Sequence, residues 1–144
     1  MSTTAQNRWI VWGIFGIAVF LNSAGYLWNL YERISWFDRL VHGYTLFALT
    51  LLLALWLYGL VLTGARTHGL LFVLIVACLG LALGALWEIA EWGLDQFVNG
   101  NLIRGKFDTI LDMMMDTLGS LVAGWISLLM LRASPKPEQA NEPK

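Results

Sequence analysis

Three carboxylates spaced four residues apart stand out in an otherwise apolar stretch of the 144-residue sequence. Asp108, Asp112 and Asp116 open a segment that runs to Leu131, and on an α-helix they share one stripe about 12 Å long. If the segment spans a membrane, Asp116 lies inside the hydrocarbon, where a lone ionised carboxylate is costly. The stripe must therefore face protein, water or a cation, and it predicts a functional site.

Two other apolar segments carry side chains of the same kind. Asp38 and His42 lie four residues apart at the start of one segment, and Glu88, Glu91 and Asp95 lie at the end of the next. Taken alone, Asp38 is explained as a helix N-cap and His42 as a hydrogen-bonded interior histidine. Together with the acids elsewhere, His42 becomes a candidate ligand.

Four membrane spans would bring these residues to one membrane side. Eight of the ten acidic residues belong to that side, and seven of them form the predicted cluster: Asp38, Glu88, Glu91, Asp95, Asp108, Asp112 and Asp116. The nearby basic residues are Arg33, Arg39, Arg104 and Lys106. Seven carboxylates against four basic side chains indicate bound cations, protonated carboxylates or both.

Carboxylate oxygens with one imidazole favour Mg²⁺, Mn²⁺ or Ca²⁺ as the bound divalent metal, with Zn²⁺ less favoured. The predicted metal ligands are Asp38, His42, Glu88, Glu91, Asp112 and Asp116. The candidate catalytic residues are His42 as ligand or general base, Glu91, and Arg39 as a phosphate contact. The sequence has no Glu-x2-His pair for a di-iron bundle, no phosphate-binding glycine loop and no HExxH motif.

The elements that must position these residues are four apolar spans, at about 9–30, 40–62, 70–92 and 108–131. Hydrophobic residues make up 58% of the chain and charged residues only 13%, which is about half the charge of a typical soluble domain. The sequence therefore predicts an all-α, four-helix transmembrane bundle over 9–131, with both termini on the same side. Residues 1–8 form a polar segment, 132–144 a disordered tail, and the single Cys78 a small core residue.

Two of the spans have a patterned face. In the third span, Gly80 and Gly84 share a stripe with Glu88, which predicts close packing against a neighbouring helix. The first span carries polar residues that are expected to share an inward face: Asn22, Tyr26, Asn29 and Arg33.

Basic residues favour an orientation with cytoplasmic termini and an outward-facing cluster, by five against four. We therefore expect a multi-pass protein of the bacterial inner (cytoplasmic) membrane whose first partner is the lipid bilayer. A net charge of −1 gives no support to a nucleic-acid partner, and the oligomeric state stays open.

Three pieces of the chain resemble a known family: residues 35–43 (SWFDRLVHG), residues 85–92 (ALWEIAEW), and the Asp108-Thr109-x2-Asp112-Met113-x2-Asp116-x2-Gly119 pattern. They are similar to the YjdF-like group of predicted bacterial inner-membrane proteins and, more distantly, to VanZ-like proteins. The resemblance covers roughly residues 10–131, and Gly43 stands where an aromatic residue is usual. It implies that the same acids are the centre of function without naming a reaction.

Three functions fit these observations. The first is a metal-dependent membrane enzyme acting on a phosphorylated or lipid-linked substrate. The second is a proton or cation carrier whose buried carboxylates change protonation during transport. The third is a structural or assembly subunit whose polar cluster only holds the helices together, and it alone predicts tolerance of Asp-to-Asn changes.

Overall fold

The computed structural model describes residues 3–57, 68–97 and 102–133, with side chains from residue 9 onward. Within these ranges the chain forms helices and no strands. The helices are α1 (Thr3–Leu27), α2 (Leu30–Arg33), α3 (Phe37–Leu57), α4 (Gly69–Phe97) and α5 (Lys106–Ala133). All but α2 are long and apolar enough to cross a membrane.

The four long helices form a bundle in which α5 packs against both α3 and α4, while α1 packs mainly against α3. The end of α1 lies beside α3, where Asn22 Nδ2 donates a hydrogen bond to Thr45 Oγ1 at 2.8 Å. The start of α3, the end of α4 and the start of α5 meet at the same end of the bundle, around His42. Because successive long helices run in opposite directions, the start of α1 and the end of α5 lie at the other end of the bundle, as the four-span prediction requires.

Glycine residues allow the helix backbones to approach closely. Gly119 of α5 lies against the carbonyl oxygen of Gly43, and Gly43 in turn lies against Met115. On α4, Gly80 lies against Ser120 and Gly84 against Asp116. The predicted small-residue stripe of the third span is therefore the contact surface between α4 and α5, and it carries Glu88 into that interface.

The half of the bundle away from His42 is filled by apolar side chains. One cluster joins α3, α4 and α5 through Ala54, Phe72, Val73, Val76 and Leu128. A second joins α1, α3 and α5 through Val11, Leu51 and Ala123. The polar residues are thus concentrated in one half of the molecule.

Three of the helix boundaries that differ from the predicted spans affect the surroundings of the acidic residues. The first helix ends at Leu27 because Asn29 adopts a left-handed conformation (φ 55°), after which the short helix α2 begins. The third helix starts at Phe37, so Asp38 lies inside its first turn and is not an N-cap. The fourth helix continues to Phe97, five residues beyond the predicted end of its span.

One prediction about side-chain placement was wrong and another holds only in part. Of the polar residues of the first span, Asn22 is half-buried, whereas Tyr26, near the end of α1, and Asn29 and Arg33, beyond it, are exposed. Asn22, Tyr26 and Asn29 do line one common cleft, and Arg33 does not. Cys78 is an exposed residue of α4 and not part of the core. The polar segment 1–8 overlaps α1 from Thr3 onward, and most of the predicted tail, 134–144, lies outside the described residues.

Candidate functional site

The imidazole of His42, on α3, is surrounded by carboxylates from three helices. His42 Nδ1 lies 3.4 Å from Asp116 Oδ1 and 3.9 Å from Glu88 Oε1. His42 Nε2 lies 3.9 Å from Asp38 Oδ1 and 4.0 Å from Glu91 Oε1. The sequence spacing of Asp38 and His42 therefore does place both side chains on one face of α3, and that face meets α4 and α5.

The deepest members of this group are buried and have polar atoms with no hydrogen bond. The Asp116 side chain is 0% exposed, and neither of its carboxylate oxygens accepts a hydrogen bond from any described residue. The same holds, within the described ranges, for Glu88 Oε1, Asp112 Oδ1 and His42 Nδ1. Buried polar atoms in proteins are normally paired, so these atoms indicate a missing partner. We call His42, Glu88, Glu91, Asp112 and Asp116 the inner cluster.

The remaining acids near the site are paired with arginines. Arg39 Nη2 lies 3.5 Å from Asp108 Oδ1, and Arg104 Nη2 lies 3.6 Å from Asp38 Oδ2. Arg104 also donates a hydrogen bond to the backbone oxygen of Tyr31 at 2.8 Å, so the segment before α5 is tied to α2. These two outer pairs neutralise Asp38 and Asp108, and the inner cluster has only His42 to balance its four carboxylates.

Asp95 does not belong to the cluster, although it shares a stripe with Glu88 and Glu91. Its Oδ1 accepts a hydrogen bond from the Leu102 N–H and its Oδ2 one from the Ile103 N–H, both at 2.9 Å. Because α4 continues past Glu91, Asp95 reaches the connection to α5 and holds it in place. Its role is structural, and it fixes the segment that carries Arg104.

Two sets of three ligand atoms are close enough to share a cation. One carboxylate oxygen or ring nitrogen each from His42, Glu88 and Asp112 lie within 4.8 Å of one another, and so do oxygens of Asp38, Asp108 and Asp112. A Ca²⁺ ion takes oxygen ligands at about 2.3–2.6 Å, so ligands on opposite sides are roughly 5 Å apart. The first set therefore has a separation that suits a cation, and it lies in the inner cluster where positive charge is lacking.

A polar cleft of about 620 Å³ leads to the inner cluster. It lies between α1 and α2 on one side and α3 and α4 on the other, and it reaches His42 and Glu91. Trp87 on its wall donates an indole N–H hydrogen bond to Glu91 Oε1 at 2.8 Å. A small polar molecule can thus approach the buried carboxylates from one end of the bundle.

Tyr31, outside the spans, forms another part of the cleft wall. Its hydroxyl donates to Asn22 Oδ1 at 3.3 Å, and its ring contacts Phe37 at a centroid distance of 5.3 Å. Burial raises the pKa of Tyr31, so its hydroxyl stays a protonated donor. Neither Tyr31 nor Trp87 was a predicted site residue, since an aromatic residue at a membrane interface reads as part of the aromatic belt.

The structure brings the predicted site residues together. Asp38, His42, Glu88, Glu91, Asp112 and Asp116, the six predicted metal ligands, all lie within or beside the inner cluster. Arg39 points its Nη2 at Asp108 and does not line the polar cleft. Asp108 lies inside the first turn of α5 and pairs with Arg39.

A family model described as "Predicted membrane protein (DUF2238)" matches residues 4–133. The chain belongs to this family of predicted membrane proteins. The YjdF-like proteins are this family, so that resemblance is confirmed, whereas the more distant VanZ-like one stays a prediction. An uncharacterised protein of Thermotoga maritima is 35% identical to the chain over 106 residues, which cover 71% of the chain and 53% of that protein. The chain thus spans about half the length of this curated relative, and no solved structure matches it.

Proposed function

We propose that the protein is a membrane enzyme of the bacterial inner membrane that uses a divalent cation to act on a phosphorylated or lipid-linked substrate. The observation that carries the proposal is the convergence of unpaired, buried polar atoms of four side chains from three helices. These side chains are His42, Glu88, Asp112 and Asp116. The ligand chemistry favours Mg²⁺, Mn²⁺ or Ca²⁺ over Zn²⁺.

The charge balance supports a cation over a purely structural cluster. A structural cluster is expected to pair each buried charge, because an unpaired ion in a low-dielectric site costs several kcal/mol. The outer acids follow this rule through Arg39 and Arg104, whereas four carboxylates of the inner cluster surround one imidazole. A divalent cation beside a neutral His42 would remove half of this imbalance.

The side chains around the cation position divide into two roles. Glu88, Asp112 and Asp116 would hold the cation, with His42 as a fourth ligand or as a general base. Glu91 faces the polar cleft, with Trp87 fixing one carboxylate oxygen, so it is placed to exchange a proton with a substrate. The cation would neutralise charge on a phosphate oxygen and lower the pKa of an attacking water.

The carrier alternative makes a further structural demand on the half of the bundle below the cluster. Beneath Asp116 the polar residues continue for one helical turn, where Ser120 Oγ lies 3.4 Å from Thr50 Oγ1. Beyond that pair, the described part of the bundle holds the two apolar clusters and the buried Ser127, whose hydroxyl donates to the Gly124 backbone oxygen. A carrier would therefore have to open this end of the bundle in a second conformation, because alternating access exposes a site to one membrane side at a time.

Metal-dependent stabilisation tests the proposal. A ligand that binds only the folded state raises stability by mass action, about 2.7 kcal/mol at one hundred times its Kd. We expect Mg²⁺, Mn²⁺ or Ca²⁺ at millimolar concentration to raise the Tm of the detergent-solubilised protein, and Glu88→Gln to abolish the rise.

The matched control is Asp95→Asn, which removes a carboxylate from the same stripe of α4 but outside the cluster. It should keep the full metal response. If no divalent metal changes the melting curve of the parent protein, or if Glu88→Gln and Asp95→Asn respond alike, the metal-dependent function is wrong.

A further inference from the structure

A second concavity, the apolar groove, lies between α3 and α5 on a different face of α3 from the polar cleft. It has a volume of about 530 Å³. Its walls are apolar side chains of both helices, and Arg39 and Trp36 lie at one end. The main wall residues are Leu40 and Phe47 of α3 and Met115, Leu118 and Val122 of α5.

The groove exists because two glycines lie where the helices cross. Gly43 and Gly119 both line it, and Gly119 lies against the backbone of Gly43. Because neither glycine has a side chain, the backbones of the two crossing helices form the bottom of the groove. Larger side chains on each side, such as Leu40 and Leu118, are 43% and 55% exposed and stand as rims.

The surroundings of the groove restrict what can fill it. Both α3 and α5 are membrane spans, so this surface faces hydrocarbon. A water molecule in an apolar groove finds no hydrogen-bond partners there. A lipid acyl chain has no polar groups to satisfy, so it can fill the groove without losing hydrogen bonds. From Arg39 to Phe47 the helix rises about 12 Å, a length that suits the upper part of an acyl chain.

Arg39 marks the interfacial end of the groove. It lies in the first turn of α3, next to Trp36, which is 57% exposed as expected for an aromatic belt. Arg39 Nε is buried and has no hydrogen-bond partner among the described residues. Its other contacts are long: Nη1 lies 3.4 Å from the Ser35 oxygen and Nη2 3.5 Å from Asp108. The guanidinium thus keeps donor capacity for an anion.

We propose that the apolar groove binds a phosphate-bearing membrane lipid, with one acyl chain between α3 and α5 and its phosphate on Arg39. An acyl chain alone would fill the groove but would leave the Arg39 guanidinium without an anionic partner beyond Asp108. A phosphate supplies the acceptor oxygens that the guanidinium lacks, in the geometry that arginine prefers. The lipid site stands on the groove and on Arg39, and it needs no metal.

One consequence of this lipid site rests on the proposed function. Arg39 pairs with Asp108, and Asp108 belongs to the second set of potential ligands, which shares Asp112 with the first. A phosphate on Arg39 would therefore lie beside the proposed metal centre. We therefore extend the proposed function by making the bound lipid its substrate class: its phosphate would reach the ligand atoms from the α3–α5 side, and the polar cleft at Glu91 would admit water.

Lipid retention by the purified protein tests the site. The probes are phosphatidylglycerol and a diacylglycerol with the same acyl chains, added to the detergent-solubilised protein and counted by native mass spectrometry. We expect the parent protein to retain phosphatidylglycerol in preference to diacylglycerol. Leu118→Trp should fill the groove and lower phosphatidylglycerol retention about tenfold, as a loss of roughly 1.4 kcal/mol would.

Leu129→Trp is the matched control, because Leu129 is on the same helix, is 60% exposed and lies outside the groove. It should retain lipid like the parent protein. Arg39→Gln should remove the preference for phosphatidylglycerol while leaving diacylglycerol retention unchanged. Leu40→Trp fills the groove from α3 and repeats the test if Leu118→Trp fails to fold.

Three results would overturn the proposal. These are equal retention by Leu118→Trp and Leu129→Trp, equal retention of the two probes by the parent protein, and an unchanged preference in Arg39→Gln. Glu88→Gln separates this proposal from the metal-dependent function, since it should lose the metal response and keep the lipid. If Leu118→Trp keeps both the metal response and the lipid retention of the parent protein, the lipid site is wrong and the metal-dependent function is unaffected.

Discussion

Asp116 is the residue whose burial is hardest to explain without a ligand. Its carboxylate is fully buried, lies against Gly84 of α4 and has the His42 imidazole 3.4 Å away. Replacing a buried acid that is merely structural is often neutral or stabilising. Replacing a metal ligand removes activity, so this residue separates a structural cluster from a working one.

We predict that Asp116→Asn gives a protein that inserts and folds but does not function. The substitution keeps the volume of the side chain and removes the negative charge that a cation requires. Function is measured by complementation of a deletion phenotype, with membrane insertion checked by the amount of protein in the membrane fraction.

Asp95→Asn serves as the control in the same complementation assay. One oxygen becomes an amide, so one of its two backbone hydrogen bonds is lost, at a cost of about 1 kcal/mol of folding stability. The cluster keeps its charge, and we expect complementation. Failure of Asp95→Asn together with success of Asp116→Asn would move the functional surface from the cluster to the connection between α4 and α5.

At the scale of elements, the contact between α4 and α5 depends on the glycine stripe. We predict that Gly80→Ala destabilises the protein, because the new methyl group would overlap Ser120 and Thr50, both fully buried. The expected cost is about 1–3 kcal/mol, typical of overpacking in a filled interior. Thermal unfolding in detergent measures the change.

Gly93→Ala is the matched control on the same helix. A methyl group at Gly93 meets no described atom within 4 Å, and alanine favours a helix interior over glycine by about 0.8–1.0 kcal/mol. The Tm should therefore rise. If Gly80→Ala also raised it, the close approach of α4 and α5 would not be a stability determinant.

The sequence predicts the positions of the helices better than their ends. Apolar length predicts four spans, and the four-residue spacing of Asp108, Asp112 and Asp116 predicts one acidic stripe. The end of α1 was missed because Asn29 breaks the helix without a glycine or proline to signal it. The end of α4 was missed because its last turns include polar residues such as Asp95, which accepts hydrogen bonds from the backbone of Leu102 and Ile103, and apolar patterning cannot show such contacts.

The sequence predicted which residues form the site, but it did not predict which acid pairs with which donor. Both Asp95 and Asp112 lie on acidic stripes in the sequence, yet one accepts hydrogen bonds from the backbone and the other has an unpaired buried oxygen. Arg39 adjoins Asp38 in the sequence and Arg104 precedes Asp108 by four residues, but Arg39 pairs with Asp108 and Arg104 with Asp38. These choices depend on where the segment before α5 lies.

At the scale of the whole molecule, the orientation in the membrane decides which compartment the polar cleft faces. The excess of basic residues beside the termini predicts a cytoplasmic C-terminus and a cleft that opens outward. In a Cys78→Ala background, a cysteine at the exposed Ser35 should react with a membrane-impermeant thiol reagent added to intact cells.

A cysteine near the C-terminus, placed at Lys144, should react only after the cells are opened. The opposite pattern of labelling would reverse the orientation. The cluster would then face the cytoplasm, and substrates would have to come from that side.

The uneven packing of α1 has a mechanical consequence. Its first half is held in the apolar cluster around Val11, whereas its second half stands beside the polar cleft and contacts α3 through Asn22. The second half is buried only through small residues, namely Ala18, Ala24 and Gly25, the last of which lies against Tyr31 and Phe37. Small residues bury little apolar surface, so the second half resists bending less than the first. The polar cleft can therefore widen by a small tilt of α1, while the three helices that hold His42 and its carboxylates keep their positions. The second half of α1 thus controls how large a molecule can enter the cleft, whereas α3, α4 and α5 fix the positions of His42 and the carboxylates.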